Sequence, residues 1–206
     1  MVRIVKKAEV RRAEIVQAAR YLFQTQEYEK VTMQEVMERL GIAKGTIYHH
    51  FQSKEELLEA VVENIVKEQI EHMQHLLDTT QGSALDKLRI LVRAGNAETD
   101  NSEILATLHH TGNVAMHTRL LAVALARQAS LYAAVIRQGC AEGLFETEYP
   151  LECAEFILSA LQFLTDTGIH PWSQAELMRR AMAFPRLIEA QLKAPLGSFQ
   201  FLFEIQ

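Results

Sequence analysis

Residues 32–54, TMQEVMERLGIAKGTIYHHFQSK, decide the fold. Thr32 suits a helix N-cap, and Glu35 three residues later completes a capping box. Val31 and Val36 flank it as a hydrophobic staple. Met33, Val36, Met37 and Leu40 fall at i, i+3, i+4 and i+7, one face of a helix. Gly41 supplies the backbone freedom that a helix C-terminus needs. A short second helix follows, from about Ala43 to His49, with Ile47 and Phe51 pointing inward. Two helices joined by a short Gly-containing turn make a helix-turn-helix unit. In such a unit the second helix enters the DNA major groove.

The outer face of that second helix carries Lys44, Thr46, Tyr48 and His49. Gly45 lies among them, where the backbone must approach something closely. Lysine and hydroxyl groups bind phosphate, and small or planar side chains meet base edges. By periodicity alone the same residues also fit a solvated helical hairpin. The spacing T-x-x-x-V-x-x-x-L-G-I-x-K-G-T-I-Y-x-H-F-x-S-K-E-E-L, starting at Thr32, closely resembles the DNA-binding domain of the tetracycline-repressor (TetR/AcrR) family. The resemblance covers roughly residues 10–60 and implies a transcription factor that reads DNA with this helix. On that reading Thr32, Lys44, Gly45, Thr46, Tyr48, His49 and Lys54 contact DNA. Tyr48 and Lys54 are expected mainly at phosphates, and Lys44, Thr46 and His49 at bases. One position departs from the family pattern. Ala43 stands where a serine or threonine cap is frequent, so the second helix should lean on Ile47 and Phe51.

Composition is that of an ordinary folded protein: 206 residues, 49% hydrophobic and 23% charged. No run of 18 apolar residues suggests a membrane span. The charged N-terminus, MVRIVKKAEVRR, is unlike a secretory leader. Cys140 and Cys153 are too few for a disulfide framework, which fits a reducing cytoplasm. The net charge of −5 argues against nucleic acid, but its distribution reverses that. Residues 1–54 hold 10 Lys+Arg against 6 Asp+Glu, and residues 55–206 hold 11 against 20. A basic head on an acidic body is the expected footprint of a DNA reader with a separate partner domain.

The whole chain reads as all-α, with about nine helices. Residues 1–54 form a basic arm and the helix-turn-helix domain, with a first helix over Ala8–Thr25. Ser53 to Glu56 is a second capping box, opening a connecting helix over 55–77. Residues 78–197 form a helical body, with helices expected near 83–97, 103–110, 115–142, 150–166 and 174–194. Pro185 should kink or split the last of these. The tail 198–206 alternates Phe199, Phe201, Phe203 and Ile205 with other residues, a period-2 strand signal. Exposed, such an edge invites aggregation, so the tail should dock on the body or on a partner subunit.

The resemblance implies that the body binds a small-molecule effector and dimerises through its last two long helices, numbers eight and nine. A homodimer would place two reading helices on a palindromic double-stranded operator. Expected effector contacts are Met73, Leu77, Leu108, His109, His110, Met116 and Phe156, though each apolar one equally fits a core. The histidines, with His117, can hold a metal, hydrogen-bond a polar ligand or cap helix ends. No metal, cofactor or membrane partner is assigned. No G-x-S-x-G, phosphate loop or H-E-x-x-H supports an enzyme. The function expected is a DNA-binding regulator, a repressor released by an effector. The alternative is a regulator of this fold without an effector, acting as a protein-interaction module.

Overall fold

The computed structural model describes residues 8–96, 101–109 and 113–203. Among these there are nine α-helices and no strand. They are α1 (Ala8–Thr25), α2 (Met33–Leu40), α3 (Lys44–His50), α4 (Lys54–Thr79), α5 (Ala84–Asn96), α6 (Ser102–Thr107), α7 (Val114–Ala141), α8 (Pro150–Thr165) and α9 (Gln174–Leu192). The chain divides into two units, 1–66 with 98–108, and 67–97 with 109–206. The basic arm (residues 1–7), His110 and the tail end 204–206 lie outside the described residues.

In the first unit, α1 buries Ile15, Val16, Ala19, Leu22 and Phe23, a single apolar stripe at helical spacing. Val31, Val36, Ile47, Phe51, Leu57, Leu58 and Val61 complete the core, all within 1% of full burial. The short α6 also belongs here. The sequence reading placed it in the body, but it packs on α1. The Asn101 side-chain oxygen accepts hydrogen bonds from Arg20 Nε (3.1 Å) and Gln24 Nε2 (2.9 Å). Ile104 and Leu108 are buried beside it. The sequence boundary at residues 54 and 77 therefore differs from the spatial one, because 98–108 returns to the N-terminal unit.

The second unit is a helical layer around Leu88, Leu91, Ala129, Ala133, Ile136, Ala154, Leu158, Phe184 and Ile188. By length and hydropathy α7 matches a membrane-crossing helix, but its apolar residues, such as Ala129, Ala133 and Ile136, serve this core. Small side chains let α7 and α8 approach closely. Gly139 on α7 makes room for the loop that follows the helix: a Cβ there would lie 2.2 Å from the Phe145 ring. Glu142, just past α7, accepts the Ala84 N–H at 2.9 Å and so caps α5, and this bond is the main cause of its depressed pKa. Pro185 does not split α9, which is continuous from Gln174 to Leu192, with Phe184, Pro185 and Ile188 buried along it. The expected box at Ser173 and Glu176 starts that helix.

The tail docks on the body, but not as a strand. Residues Gln200–Phe203 form a 3-10 turn. No neighbouring strand among the described residues offers a ladder, so the backbone satisfies itself: Leu202 N–H donates to Phe199 O (3.1 Å) and Gln200 N–H to Gly197 O (3.3 Å). Phe199 and Phe201 are buried, Phe199 stacking on Phe145 at 5.9 Å between centroids. The almost fully buried Glu189 carboxylate holds the turn, accepting N–H groups of Gly197 (2.7 Å) and Phe199 (3.4 Å). Replacing Phe199 by Ala should cost about 3 kcal/mol of unfolding free energy. Deleting 198–206 should lower the melting temperature. Urea curves that superimpose for the wild type and Phe199→Ala would refute this role for the tail.

Candidate functional site

The reading unit is built by local chemistry. The Thr32 hydroxyl accepts the Glu35 N–H at 3.2 Å, and the Glu35 carboxylate accepts the Thr32 N–H at 2.7 Å. This reciprocal box starts α2, with Val31 and Val36 buried beneath it. Gly41 ends α2 in the left-handed region (φ 61°), a conformation that costs glycine nothing. At Ala43 there is no side-chain cap; α3 begins with only the Thr46 N–H to Ala43 O bond of 2.8 Å. Ile47 and Phe51, both fully buried, fix it instead.

With Ile47 inward, the opposite face of α3 is open. Lys44, Gly45 and His49 are exposed, and Thr46 and Tyr48 are half-buried. Nothing lies within 4 Å of where a Gly45 Cβ would be, so the backbone there is bare to an approaching partner. The Lys44 ammonium lies 5.6 Å from the Tyr48 ring centre, which holds the two side chains together on the surface. Arg12 covers the Phe51 ring at 4.9 Å. The pKa of His50 is lowered, first by burial and then by the charges of His49, Arg12 and Arg11. The neighbouring Arg11 and Arg12 charges make this surface locally positive, suited to phosphate. Thr32 is exposed at the start of α2, though its hydroxyl is engaged in the cap.

Lys54 is placed differently from the expectation. Its ammonium turns into the protein, donating to Tyr28 O (2.9 Å) and Glu29 O (3.4 Å) and lying 4.2 Å from the Tyr28 ring centre. It ties the start of α4 to the 3-10 turn Tyr28–Lys30 that precedes α2. Burial and the nearby Glu55 and Glu29 raise the Tyr28 phenol to about 12, so the ring stays neutral. The box at Ser53 is also altered: Ser53 Oγ accepts the Glu56 N–H (3.1 Å), but the Glu56 carboxylate takes the Gln52 N–H (2.6 Å).

The candidate effector residues do not come together. Met73 is fully buried in the core of the second unit and Leu77 packs against that core. Leu108 is buried in the first unit, and Met116 is buried on α7. Phe156 is 67% exposed on α8, so it is no pocket wall. His109 is largely exposed, and His110 is outside the described residues. The hollow lies elsewhere. A cleft of about 350 Å3 in the second unit is bounded by Val92, Tyr132, Leu158, Leu161 and Leu202, with Gln128, Gln162 and Thr165 as polar groups. The same apolar walls continue into a smaller pocket with Ile136, Ile157 and Phe199. Gln162 Nε2 donates to Gln128 Oε1 at 3.3 Å. Burial pushes the Tyr132 phenol up, keeping it protonated. No sequence signal singles out Gln128 and Gln162, because α7 also carries Arg119, Arg127, Arg137 and Gln138 and α8 carries Glu152 and Glu155.

Comparison with known proteins decides what this arrangement is. Residues 15–61 match the family described as "Bacterial regulatory proteins, tetR family", and residues 96–187 match "Tetracyclin repressor-like, C-terminal domain". The chain belongs to the TetR family. It is a DNA-binding transcriptional regulator. A relative in Mycolicibacterium smegmatis, the HTH-type transcriptional repressor KstR2, is 34% identical over 41% of this chain and 40% of its own length. The Mycobacterium tuberculosis protein of that name is 22% identical over 74% of this chain and 78% of its own. In fold, the chain is similar to a TetR-family regulator from Pectobacterium atrosepticum (TM-score 0.67, 23% identity, 91% of this chain and 97% of that one). It is also similar to a regulator from Cytophaga hutchinsonii (TM-score 0.66, 19% identity, 96% and 98%).

For this TetR-family regulator the two lysines should separate. Lys44→Ala should weaken binding to a DNA target while leaving thermal stability unchanged. Lys54→Ala should cost about 1 kcal/mol of stability by removing a charge-assisted bond. Paired denaturation and DNA-titration curves check this. A stable Lys54→Ala protein with weakened DNA binding would return Lys54 to a phosphate-contact role.

Proposed function

We propose that the protein is a homodimeric repressor, released from a palindromic operator when a small molecule enters the second unit. The observation that carries the DNA half is the outward set Lys44, Gly45 and His49 over an inward Ile47 and Phe51. Base contacts from Lys44, Thr46 and His49 and a phosphate contact from Tyr48 fit that display. The relatives named as repressors favour repression over activation.

The dimer is supported by apolar surface that one chain leaves uncovered. Phe156 and Phe163 on α8, and Met178, Met182 and Leu187 on α9, are each 44–67% exposed. Their spacing places Phe156 with Phe163, and Met178 with Met182, on one side of each helix. A two-fold axis would cover this self-complementary strip with a second copy of itself. Two α3 helices would then meet two half-sites about one helical turn apart.

The effector is supported by the open cleft lined by Tyr132, Leu158 and Leu161. Its walls favour a largely apolar molecule, and Gln128 and Gln162 favour one that carries a hydrogen-bonding group. An effector that lowers operator affinity a hundredfold needs roughly 2.7 kcal/mol of discrimination between the two states. A cytoplasmic location suits a protein that must reach DNA.

Selection of bound sequences from a random duplex pool tests the whole reading. The expected result is one palindromic motif. Met182→Glu should give a folded monomer that loses affinity for that motif, measured by sedimentation and by DNA titration. Failure to recover any motif with folded wild-type dimer would favour the interaction-module alternative.

A further inference from the structure

His109, His117 and Asp166 converge at one end of the second unit. His117 lies in the first turn of α7 and Asp166 is the C-cap of α8. The His117 Nε2 is 3.0 Å from one Asp166 carboxylate oxygen, and the His109 Nε2 is 3.9 Å from the other. The two imidazole rings are 5.0 Å apart. One donor atom from each residue fits within 4.8 Å of the others. We propose that these three side chains form a binding site for a divalent transition metal of the zinc class.

The donor set suits that class. Two imidazole nitrogens and one carboxylate oxygen match zinc, with bonds of about 2.0–2.2 Å. Tetrahedral angles at such bonds put neighbouring donor atoms roughly 3.3 Å apart. The three donor atoms lie within 4.8 Å of one another, so small side-chain movements would bring them to that spacing. Three protein ligands leave a further position for water or for a ligand.

The surroundings hold the ligands in place. Asp166 Oδ1 accepts the N–H groups of Gly168 (2.8 Å) and Ile169 (3.0 Å), which fixes the carboxylate. Gly168 packs against His109 so closely that a Cβ would come within 2.4 Å of the ring. The loop after α8 therefore admits His109 only because residue 168 is glycine. The side chains of His117 and Asp166 are 5% and 9% exposed, whereas His109 is 45% exposed and gives an ion a route in. The His117 Nδ1 is buried with no hydrogen-bond partner among the described residues.

The test is calorimetric titration of zinc chloride into chelator-stripped full-length protein, with cobalt absorption as a second readout of nitrogen and oxygen ligation. One ion per chain is expected. His109→Ala removes an exposed ligand without disturbing the core, and should weaken binding at least about tenfold. Asp166→Asn keeps the acceptor for Gly168 and Ile169 but loses the charge, and should weaken it comparably. The double variant His72→Ala/His75→Ala, on the exposed face of α4, should bind as the wild type does. Absence of saturable binding by the folded protein would overturn the site. So would binding that is unchanged by His109→Ala, or that tracks His72 and His75.

Discussion

The geometry of helix α3 depends on the burial of two side chains. The reading helix has seven residues, far too few to be stable in water by itself. It lacks a side-chain cap at Ala43. Ile47 and Phe51, both fully buried, supply the missing constraint and fix its rotation. Rotation decides which residues face outward. With Ile47 inward, Lys44, Gly45 and His49 are presented together. The price of using packing instead of a cap is that the reading face and the core of the first unit cannot be altered independently.

The parts of this fold that were legible in the sequence are those governed by neighbours three or four residues apart. The Thr32–Glu35 and Ser173–Glu176 boxes, the Val31–Val36 staple and the Gly41 stop all occur as read, because each is closed by local hydrogen bonds or local contacts. The reading face followed from the same local logic. What failed was long-range. The contacts of Lys54 in the free protein were not foreseen: its ammonium finds two carbonyls 25 and 26 residues away, which leaves its expected phosphate contact untested. Nothing near Lys54 in sequence announces Tyr28. The tail carried a true period of two, but a strand needs a partner edge. Without one, burial of Phe199 and Phe201 was achieved through a 3-10 turn held by Glu189.

The second unit shows a similar ambiguity in its apolar residues. Periodicity assigns a residue to the apolar side of a helix, but not to a core, a cleft wall or an outer surface. Met73, Leu158 and Phe156 illustrate the three outcomes: full burial, the wall of the cleft, and exposure on α8. The helices here are covered on more than one side, so a single stripe cannot distinguish them. The polar residues beside the cleft were missed by the sequence reading. Gln128 and Gln162 meet at 3.3 Å beside the cleft, but each is one of several polar residues on its helix.

That pair also bears on how an effector is selected. Apolar walls discriminate weakly, about 1–3 kcal/mol for a methylene gained or lost. A buried polar group discriminates strongly, because a ligand that fails to satisfy it leaves a donor or acceptor unpaired. In the proposed mechanism, Val92, Tyr132, Leu158 and Leu161 would set size and general affinity, and the two amides would set chemical identity. The amides already bond each other, so an effector must offer at least as good a partner as the one it displaces. Helix α4 runs unbroken from Lys54 to Thr79 and contributes residues to both units. By linkage, whatever free energy the effector gives to one arrangement of the units must be lost by DNA in equal measure. In the proposed mechanism, effector selectivity and operator release would be two readings of one coupling free energy, bounded by the polar contacts in the cleft.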